Sequence, residues 1–164
     1  MDLFAGLLLI SSLLCALVTG FVFTYAVIVM PGLAKLGDRE FIRAFQVTDG
    51  IIQDKQPVFM LVWFGSIISV IGTMLAALMA DAGGVKWLAI ATGAAYLLGV
   101  QGLTIFVHLP LNTQIQNVGT DEMDAKSLHE QRVLFEARWT HFNRIRTVIA
   151  CVVSASFMAI LSLS

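Results

Sequence analysis

Three polar side chains recur at helical spacing along one of the most apolar stretches of the chain. Gln101, Thr104 and His108 are three and four residues apart, so they share one face of a helix. An imidazole can act as a general base or bind a metal near neutral pH, and an amide can orient a substrate or stabilise an oxyanion. Gln101 and His108 are therefore candidate catalytic residues, and His108 is the preferred base or metal ligand.

A second polar face recurs near the end of the chain. Trp139, Asn143 and Arg146 are four and three residues apart, and His141 and Arg144 flank them. Asn143 is a further candidate catalytic amide, and His141 is the second choice for a base or an axial haem ligand. Trp139, Arg144 and Arg146 are candidate cofactor-binding residues, because arginine pairs with carboxylates such as haem propionates and an aromatic wall can receive a macrocycle.

The elements that position these side chains are long apolar helices. Of the 164 residues, 58% are hydrophobic and 13% are charged, and the mean hydropathy is +0.85. A helix needs about 20 mostly apolar residues to cross the hydrocarbon core. Segments near 3–30, 57–80, 85–108 and 127–163 are long enough to do so. The sequence therefore predicts a single all-α membrane domain, a four-helix up-down bundle with an additional amphipathic interfacial helix over about 33–53.

Proline and glycine mark the expected ends of these helices. Pro31 and Gly32 should stop the first span, because proline cannot donate to the helical hydrogen-bond ladder. For the same reason Pro110 should stop the third span directly after His108. Residues 81–84 should form a tight turn that makes the second and third spans antiparallel neighbours.

Basic residues predict the orientation in the membrane. Nine of the ten Lys and Arg residues lie in, or at the edges of, the two long connections, and only Lys86 lies on the other side. The positive-inside rule then places both long connections in the cytoplasm and both termini outside. Acidic residues nearly balance the basic ones, which argues against a nucleic-acid partner. We expect an inner-membrane protein of a bacterium, with the lipid bilayer as its main partner and homo-oligomers left open.

Polar residues of two further segments complete the candidate set. Tyr25 lies near the end of the first apolar segment, and Gln46 and Asp49 belong to a polar stripe on the amphipathic segment that follows. An unpaired polar group that faces lipid costs several kcal/mol, so these faces should turn inward. We predict that Tyr25, Gln46 and Asn143 line one cavity with His108, and that Tyr25 and Gln46 contact a cofactor.

Most of these residues also have a purely structural interpretation. Arg144 and Arg146 could extend to lipid headgroups, and Trp139 could anchor the chain at the interface. Gln101 and His108 could simply bond between helices. The arrival of several polar faces at one depth is what favours a functional site.

Four blocks of sequence carry a resemblance to a known family. They are GFVFTYAVIVMPGL at 20–33, AFQ at 44–46, LPLN at 109–112 and WTHFNRIR at 139–146. Together they resemble the anthrone oxygenase-like family of small membrane proteins with four spans. Members of that family in aromatic polyketide pathways convert an anthrone methylene to a quinone carbonyl with oxygen. The resemblance therefore implies an oxidoreductase of the monooxygenase type.

Several functions fit these residues at this stage. The first is an oxygenase-like enzyme that binds a flat, anthrone-like aromatic substrate, with His108 or His141 as the base. The second is a membrane protein that binds haem b or another small ligand without catalysis, with His108 as axial ligand and His141 as the alternative. The two can coexist, since a haem could perform the oxidation, and a structural or assembly role remains a further alternative. Proton-coupled transport is disfavoured, because the apolar parts of the predicted spans, with about 145–163 as that of the fourth, contain no Asp or Glu.

Overall fold

The architecture is a bundle of long helices, seen here in a computed structural model that describes residues 2–79 and 83–163. Within these ranges the chain contains helices and no strand. The α-helices are α1 (Leu3–Thr24), α2 (Met30–Leu33), α3 (Asp38–Gln53), α4 (Pro57–Met79), α5 (Val85–Ala95), α6 (Leu109–Gln116) and α7 (Ala125–Leu163). Wider π-helical turns cover Tyr25–Val29, Tyr96–Gly102 and Thr104–His108.

Four continuous helices among the described residues are long and apolar enough to cross a membrane. They are Leu3–Leu33, Pro57–Met79, Val85–Gln116 and Ala125–Leu163. In the bundle α1 contacts α4 and α7, and α5 contacts the same two helices. The predicted all-α membrane bundle is confirmed, and the chain is an integral membrane protein. Residues 80–82 lie outside the described ranges, and with them the predicted end of the second span and half of the predicted turn at 81–84.

The predicted helix end at Pro110 is wrong, whereas the first span ends one residue after the predicted stop at Pro31 and Gly32. The first span continues through Pro31 to Leu33, and the third continues through Pro110 to Gln116. A π-helical turn precedes each proline, and the Leu109 N–H donates to the Thr104 carbonyl five residues earlier. This wider turn shifts the hydrogen bonds so that a residue without an N–H is accommodated within a membrane helix. His108 consequently lies well inside the third span and not at its end.

The half of the bundle that contains the start of α1 and the end of α7 is packed through small and hydroxyl-bearing residues. The Ser11 and Thr73 hydroxyls are 2.8 Å apart and join α1 to α4. A Cβ atom added to Gly93 would lie 2.6 Å from the Met74 sulfur, so α4 and α5 approach each other closely there. Small residues allow such close approach between membrane helices. This half holds the four spans in register.

The opposite half, which we call the α3 end, contains α3, α6 and the first part of α7. With 39 residues α7 is about 58 Å long, whereas a hydrocarbon core is about 30 Å thick. The excess packs against α3, where the Phe45 and Phe135 rings lie 4.6 Å apart. Arg132 of α7 donates to the Ala34 carbonyl at 2.9 Å and so satisfies the end of the first span. The predicted amphipathic helix is therefore present as α3.

The part of α4 nearest the α3 end diverges from the third span. Within the described residues α4 packs closely against α1 and α5, but not against Thr104–His108 or α6. The hydroxyls of Ser66 and Tyr96, 2.6 Å apart, mark the point at which the two spans separate. Beyond that point, toward the α3 end, the helices enclose a cavity.

Candidate functional site

The cavity has a volume of about 220 Å³ and lies between α1, α3, α4, the third span and α7. Its wall is mostly aromatic and aliphatic, with Phe59 and Trp63 stacked at 5.3 Å on the α4 side. Seven polar residues interrupt this wall: Asp49, Gln53, Gln101, Thr104, His108, Asn112 and Arg146. An apolar cavity with a few convergent polar groups is the usual form of a small-molecule site.

Among the described residues, neither ring nitrogen of His108 makes a hydrogen bond of normal geometry, although the ring interacts with the Phe142 backbone. The side chain is only 2% exposed, and the ring packs edge-on against Trp139 with centroids 5.0 Å apart. Buried polar side chains usually have a well-formed hydrogen bond, so an imidazole without one is a candidate for contact with a ligand.

Arg146 is buried without a counter-ion. Nη1 donates to the Thr104 hydroxyl at 2.9 Å, and Nη2 donates to the Asn143 amide oxygen at 2.6 Å. Nε has no partner, and no carboxylate in the described part of the chain pairs with the guanidinium. Removing a charge from water without pairing it costs several kcal/mol. The arrangement therefore presents a positive charge to an otherwise apolar cavity.

Gln101 also carries a free acceptor. Its Nε2 donates to the Tyr96 hydroxyl at 2.9 Å, and that hydroxyl also contacts Ser66. The amide oxygen Oε1 is buried and has no partner in the ranges that the structure describes. The bond to Tyr96 fixes the amide orientation, and the free oxygen can accept a hydrogen bond from a ligand.

Asp49 forms a fully bonded cluster at the α3 end of the cavity. The carboxylate is buried, and it accepts hydrogen bonds from Asn112 at 2.7 Å and from Gln53 and Gln116 at 3.0 Å. The Asn112 oxygen in turn accepts from Trp139 Nε1 at 2.9 Å. These bonds join α3, α6 and α7 at the floor of the cavity.

Sequence reasoning placed Asp49 on a polar stripe but did not select it as a site residue. The signal was available, because Asp49 follows Phe41 and Phe45 at intervals of four residues. That spacing puts all three on the buried face of α3, where the structure finds them. An acidic residue on the apolar face of an amphipathic helix indicates a buried, bonded carboxylate.

The cavity brings together five of the candidate residues selected from the sequence. Each of them contributes to the wall, from three different spans: Tyr25, Gln101, His108, Trp139 and Arg146. Their catalytic and cofactor-binding roles stay predictions. What the structure adds is their common position at one depth of the bundle.

Gln46 and Asn143 do not line the cavity, contrary to prediction. Gln46 donates to the carbonyls of Ile115 and Val118 at 2.8 and 3.0 Å, so it attaches α3 to the end of α6. Asn143 lies behind Arg146 and donates to the Val22 carbonyl at 3.3 Å. Both amides find partners in backbone carbonyls, and Asn143 reaches the cavity only through the arginine that it orients.

His141 and Arg144 lie on the exposed side of α7. They border a shallow surface depression with Glu136 and Thr140, away from the cavity of His108. The reason is geometric, because residues two positions apart on a helix point in nearly opposite directions. His141 therefore diverges from Trp139 and Asn143, and the structure does not bring the two candidate histidines together.

The arrangement combines a base with a fixed positive charge in a mostly apolar pocket. His108 can accept a proton from a bound molecule, and Arg146 and Gln101 offer a free donor and a free acceptor. In surroundings of low dielectric constant such groups stabilise developing charge far more than they do in water. This chemistry suits a substrate that loses a proton and becomes an oxyanion.

Comparison with known proteins gives one finding. The sequence model of a family described as anthrone oxygenase matches residues 59–156. The matched region contains His108, Trp139 and Arg146, whereas Tyr25 and Asp49 precede it. Searches of curated proteins and of solved structures find no match.

Proposed function

The chain belongs to the anthrone oxygenase family, and on that basis we propose that it oxidises a planar tricyclic ketone of the anthrone type with molecular oxygen. One observation carries the proposal. A buried histidine without a well-formed ring hydrogen bond and a buried arginine without a carboxylate partner, both judged within the described residues, line the same apolar cavity. To ionise a methylene C–H bond that is conjugated with a ketone, a base must remove the proton and a cation must stabilise the enolate.

In the first step His108 removes a proton from the methylene carbon of the bound ketone. The C–H electron pair moves through the rings to the ketone oxygen, which becomes an enolate. The free Nε–H of Arg146 supports this oxyanion, and Asn143 and Thr104 hold the guanidinium in place. A positioned donor that meets charge as it develops is usually the largest single contribution to such a reaction.

In the second step the electron-rich carbon reacts with dioxygen. A C–O bond forms, and the peroxide takes the proton from the His108 imidazolium to give a hydroperoxide. His108 then removes the second methylene proton, the O–O bond breaks, and the departing hydroxide takes that proton as water. One methylene and one dioxygen give one carbonyl and one water, so the carbon loses four electrons and oxygen gains four.

The apolar wall supports both steps. Phe59, Trp63 and Trp139 offer flat faces and edges to a fused aromatic substrate. The wall keeps water from the enolate, and dioxygen is more soluble in hydrocarbon than in water. The cavity thereby concentrates both reactants and favours reaction with oxygen over reprotonation.

Haem b is the second candidate, because His108 offers a ring nitrogen for axial ligation. The cavity volume of about 220 Å³ is, however, below the roughly 300–1,000 Å³ typical of pockets for drug-sized ligands, and a macrocycle is larger still. His141, the alternative axial ligand, and Arg144, one of the candidate propionate partners, lie outside the cavity. A haem would therefore fit only if α4 moved outward, and we propose that the side chains act without it.

The test uses purified protein in nanodiscs with anthrone, measuring oxygen consumption and anthraquinone absorbance above the spontaneous rate. We expect His108→Gln to lower turnover by about 10²–10⁴-fold, the usual contribution of a general base. His141→Gln is the matched control and should retain the wild-type rate. Loss of turnover in His141→Gln alone would show that the wrong histidine was chosen, and a Soret band that disappears in His108→Ala would favour the haem alternative.

A further inference from the structure

The residues that both line the cavity and are exposed show where it opens. Phe64 is 57% exposed, Ile105 is 52% exposed and Leu109 is 46% exposed, and all three belong to the wall. His108 and Gln101, at 2% and 4%, lie at the deep side. Three of the exposed wall residues are thus large and apolar, with the polar Gln53 at the α3 end.

This opening lies between two membrane spans. Phe64 belongs to α4 and Ile105 to the third span, and these helices separate beyond the Ser66–Tyr96 contact. The surrounding surface consists of apolar side chains that are exposed and do not line the cavity. They include Leu61 (73%), Ile68 (70%) and Phe106 (78%). A surface of this kind in the middle of two apolar spans faces hydrocarbon, so the opening faces the bilayer.

We propose that this slot is a lateral portal through which the substrate enters from the bilayer, with Phe64 and Ile105 as its gate. The identity of the substrate rests on the proposed function. The portal specifies its form: a neutral, flat, lipophilic molecule that partitions into the membrane. Such a molecule passes the apolar rim without cost and becomes an anion only beside Arg146. An analogue with a permanent charge pays a desolvation penalty at the rim and is excluded.

The experiment measures entry separately from chemistry. Protein in nanodiscs is mixed with anthrone under anaerobic conditions, and quenching of the cavity tryptophans Trp63 and Trp139 is followed by stopped flow. We expect Ile105→Trp to slow association by about tenfold and to leave the equilibrium affinity nearly unchanged, because a narrower gate slows entry and exit alike. Phe64→Ala should accelerate association, which gives a second reading if the bulky variant folds poorly.

Two matched controls lie on the same helices outside the cavity. Ile68→Trp on α4 and Phe106→Ala on the third span change exposed apolar residues of similar type. Both should associate at the wild-type rate. The association rate should also follow the mole fraction of anthrone in the lipid when the lipid amount is varied, and a sulfonated anthrone should not quench.

Several results would overturn the portal. One is an equal association rate for Ile105→Trp and Ile68→Trp. The others are rapid quenching by the sulfonated anthrone and no quenching by anthrone at all. Failure of the proposed function looks different, since anthrone would then bind anaerobically with the expected gate effects but show no turnover with oxygen. Normal turnover combined with unaffected gate variants would retain the function and discard the portal.

Discussion

Two polar clusters border one cavity, and they differ in the hydrogen bonds that their members make. In the Asp49 cluster (Asp49, Gln53, Asn112 and Gln116) both carboxylate oxygens accept hydrogen bonds from side-chain amides. In the Arg146 cluster (Gln101, His108 and Arg146) each residue has at least one buried atom without a partner in the described part of the chain. One cluster holds a negative charge with donors around it, and the other holds a positive charge with no carboxylate beside it.

This difference distinguishes a cluster that stabilises the fold from a cluster that is available to a ligand. A buried hydrogen bond contributes about 0.5–1.5 kcal/mol, and leaving its partner unsatisfied costs about 1–3 kcal/mol. The Asp49 cluster therefore stabilises the junction of α3, α6 and α7. The Arg146 cluster carries an energetic cost in the free protein, and contact with a ligand would relieve it. A protein that needed only a stable bundle would place apolar side chains at these three positions.

After His108→Gln, the largest effect should come from Arg146→Met. Without the guanidinium nothing supports the enolate, and we expect turnover to fall by about 10²–10³-fold, as when an oxyanion donor is removed. Stability should be unchanged or increased, since an apolar side chain of similar length replaces a buried charge that lacks a partner. Oxygen consumption with anthrone measures the first quantity, and unfolding in mixed micelles measures the second.

Arg144→Met is the matched control for this change. Arg144 lies on the exposed side of the same helix, so its replacement should alter neither turnover nor stability. If Arg146→Met unfolds the protein while residual molecules keep full specific activity, the contrast between the two clusters is wrong. In that case Arg146 would be a structural residue.

The next effect is on stability, and it concerns the Asp49 cluster. Asp49→Ala leaves the donors of Asn112 and Gln53 without their acceptor, and we expect the free energy of unfolding to fall by about 1–3 kcal/mol. Asp49→Asn keeps one accepting oxygen, so its free energy of unfolding should fall by less. Asp54→Ala, at an exposed position just after α3, is the control. A strong loss of turnover with unchanged stability would instead assign Asp49 to the reaction.

Helical spacing was sufficient to predict the bundle and part of its site. Gln101, Thr104 and His108 line the cavity together because their intervals of three and four residues match one helix face, and the π-helical turns of this segment leave all three on it. The long apolar segments likewise predicted the four spans. Both inferences use a periodicity that is local in the chain.

The predictions from sequence failed where tertiary contacts or the membrane environment override a rule based on neighbouring residues. Pro110 was expected to end the third span, but a π-helical turn accommodates it, and the neighbouring spans stabilise the continued helix. Gln46 was expected in the cavity, yet backbone carbonyls at the end of α6 compete for its amide. Which partner a polar side chain chooses depends on helices far away in sequence, and spacing alone does not reveal it.

The smallest effect should come from Thr104→Val, which tests whether the action of Arg146 depends on the side chains that position it. Valine keeps the shape of threonine but removes the acceptor of Arg146 Nη1, while Asn143 still holds Nη2. Loss of one hydrogen bond to a charged group is worth about 1.5–3 kcal/mol at most, and the remaining bond should limit the loss in turnover to about tenfold. Thr113→Val at an exposed position of α6 should have no effect on turnover.

In an Arg146→Met background Thr104→Val should not lower turnover further, because a residue that acts through the guanidinium has no role once the guanidinium is gone. A full additional tenfold loss in that background would mean that Thr104 contacts the substrate itself.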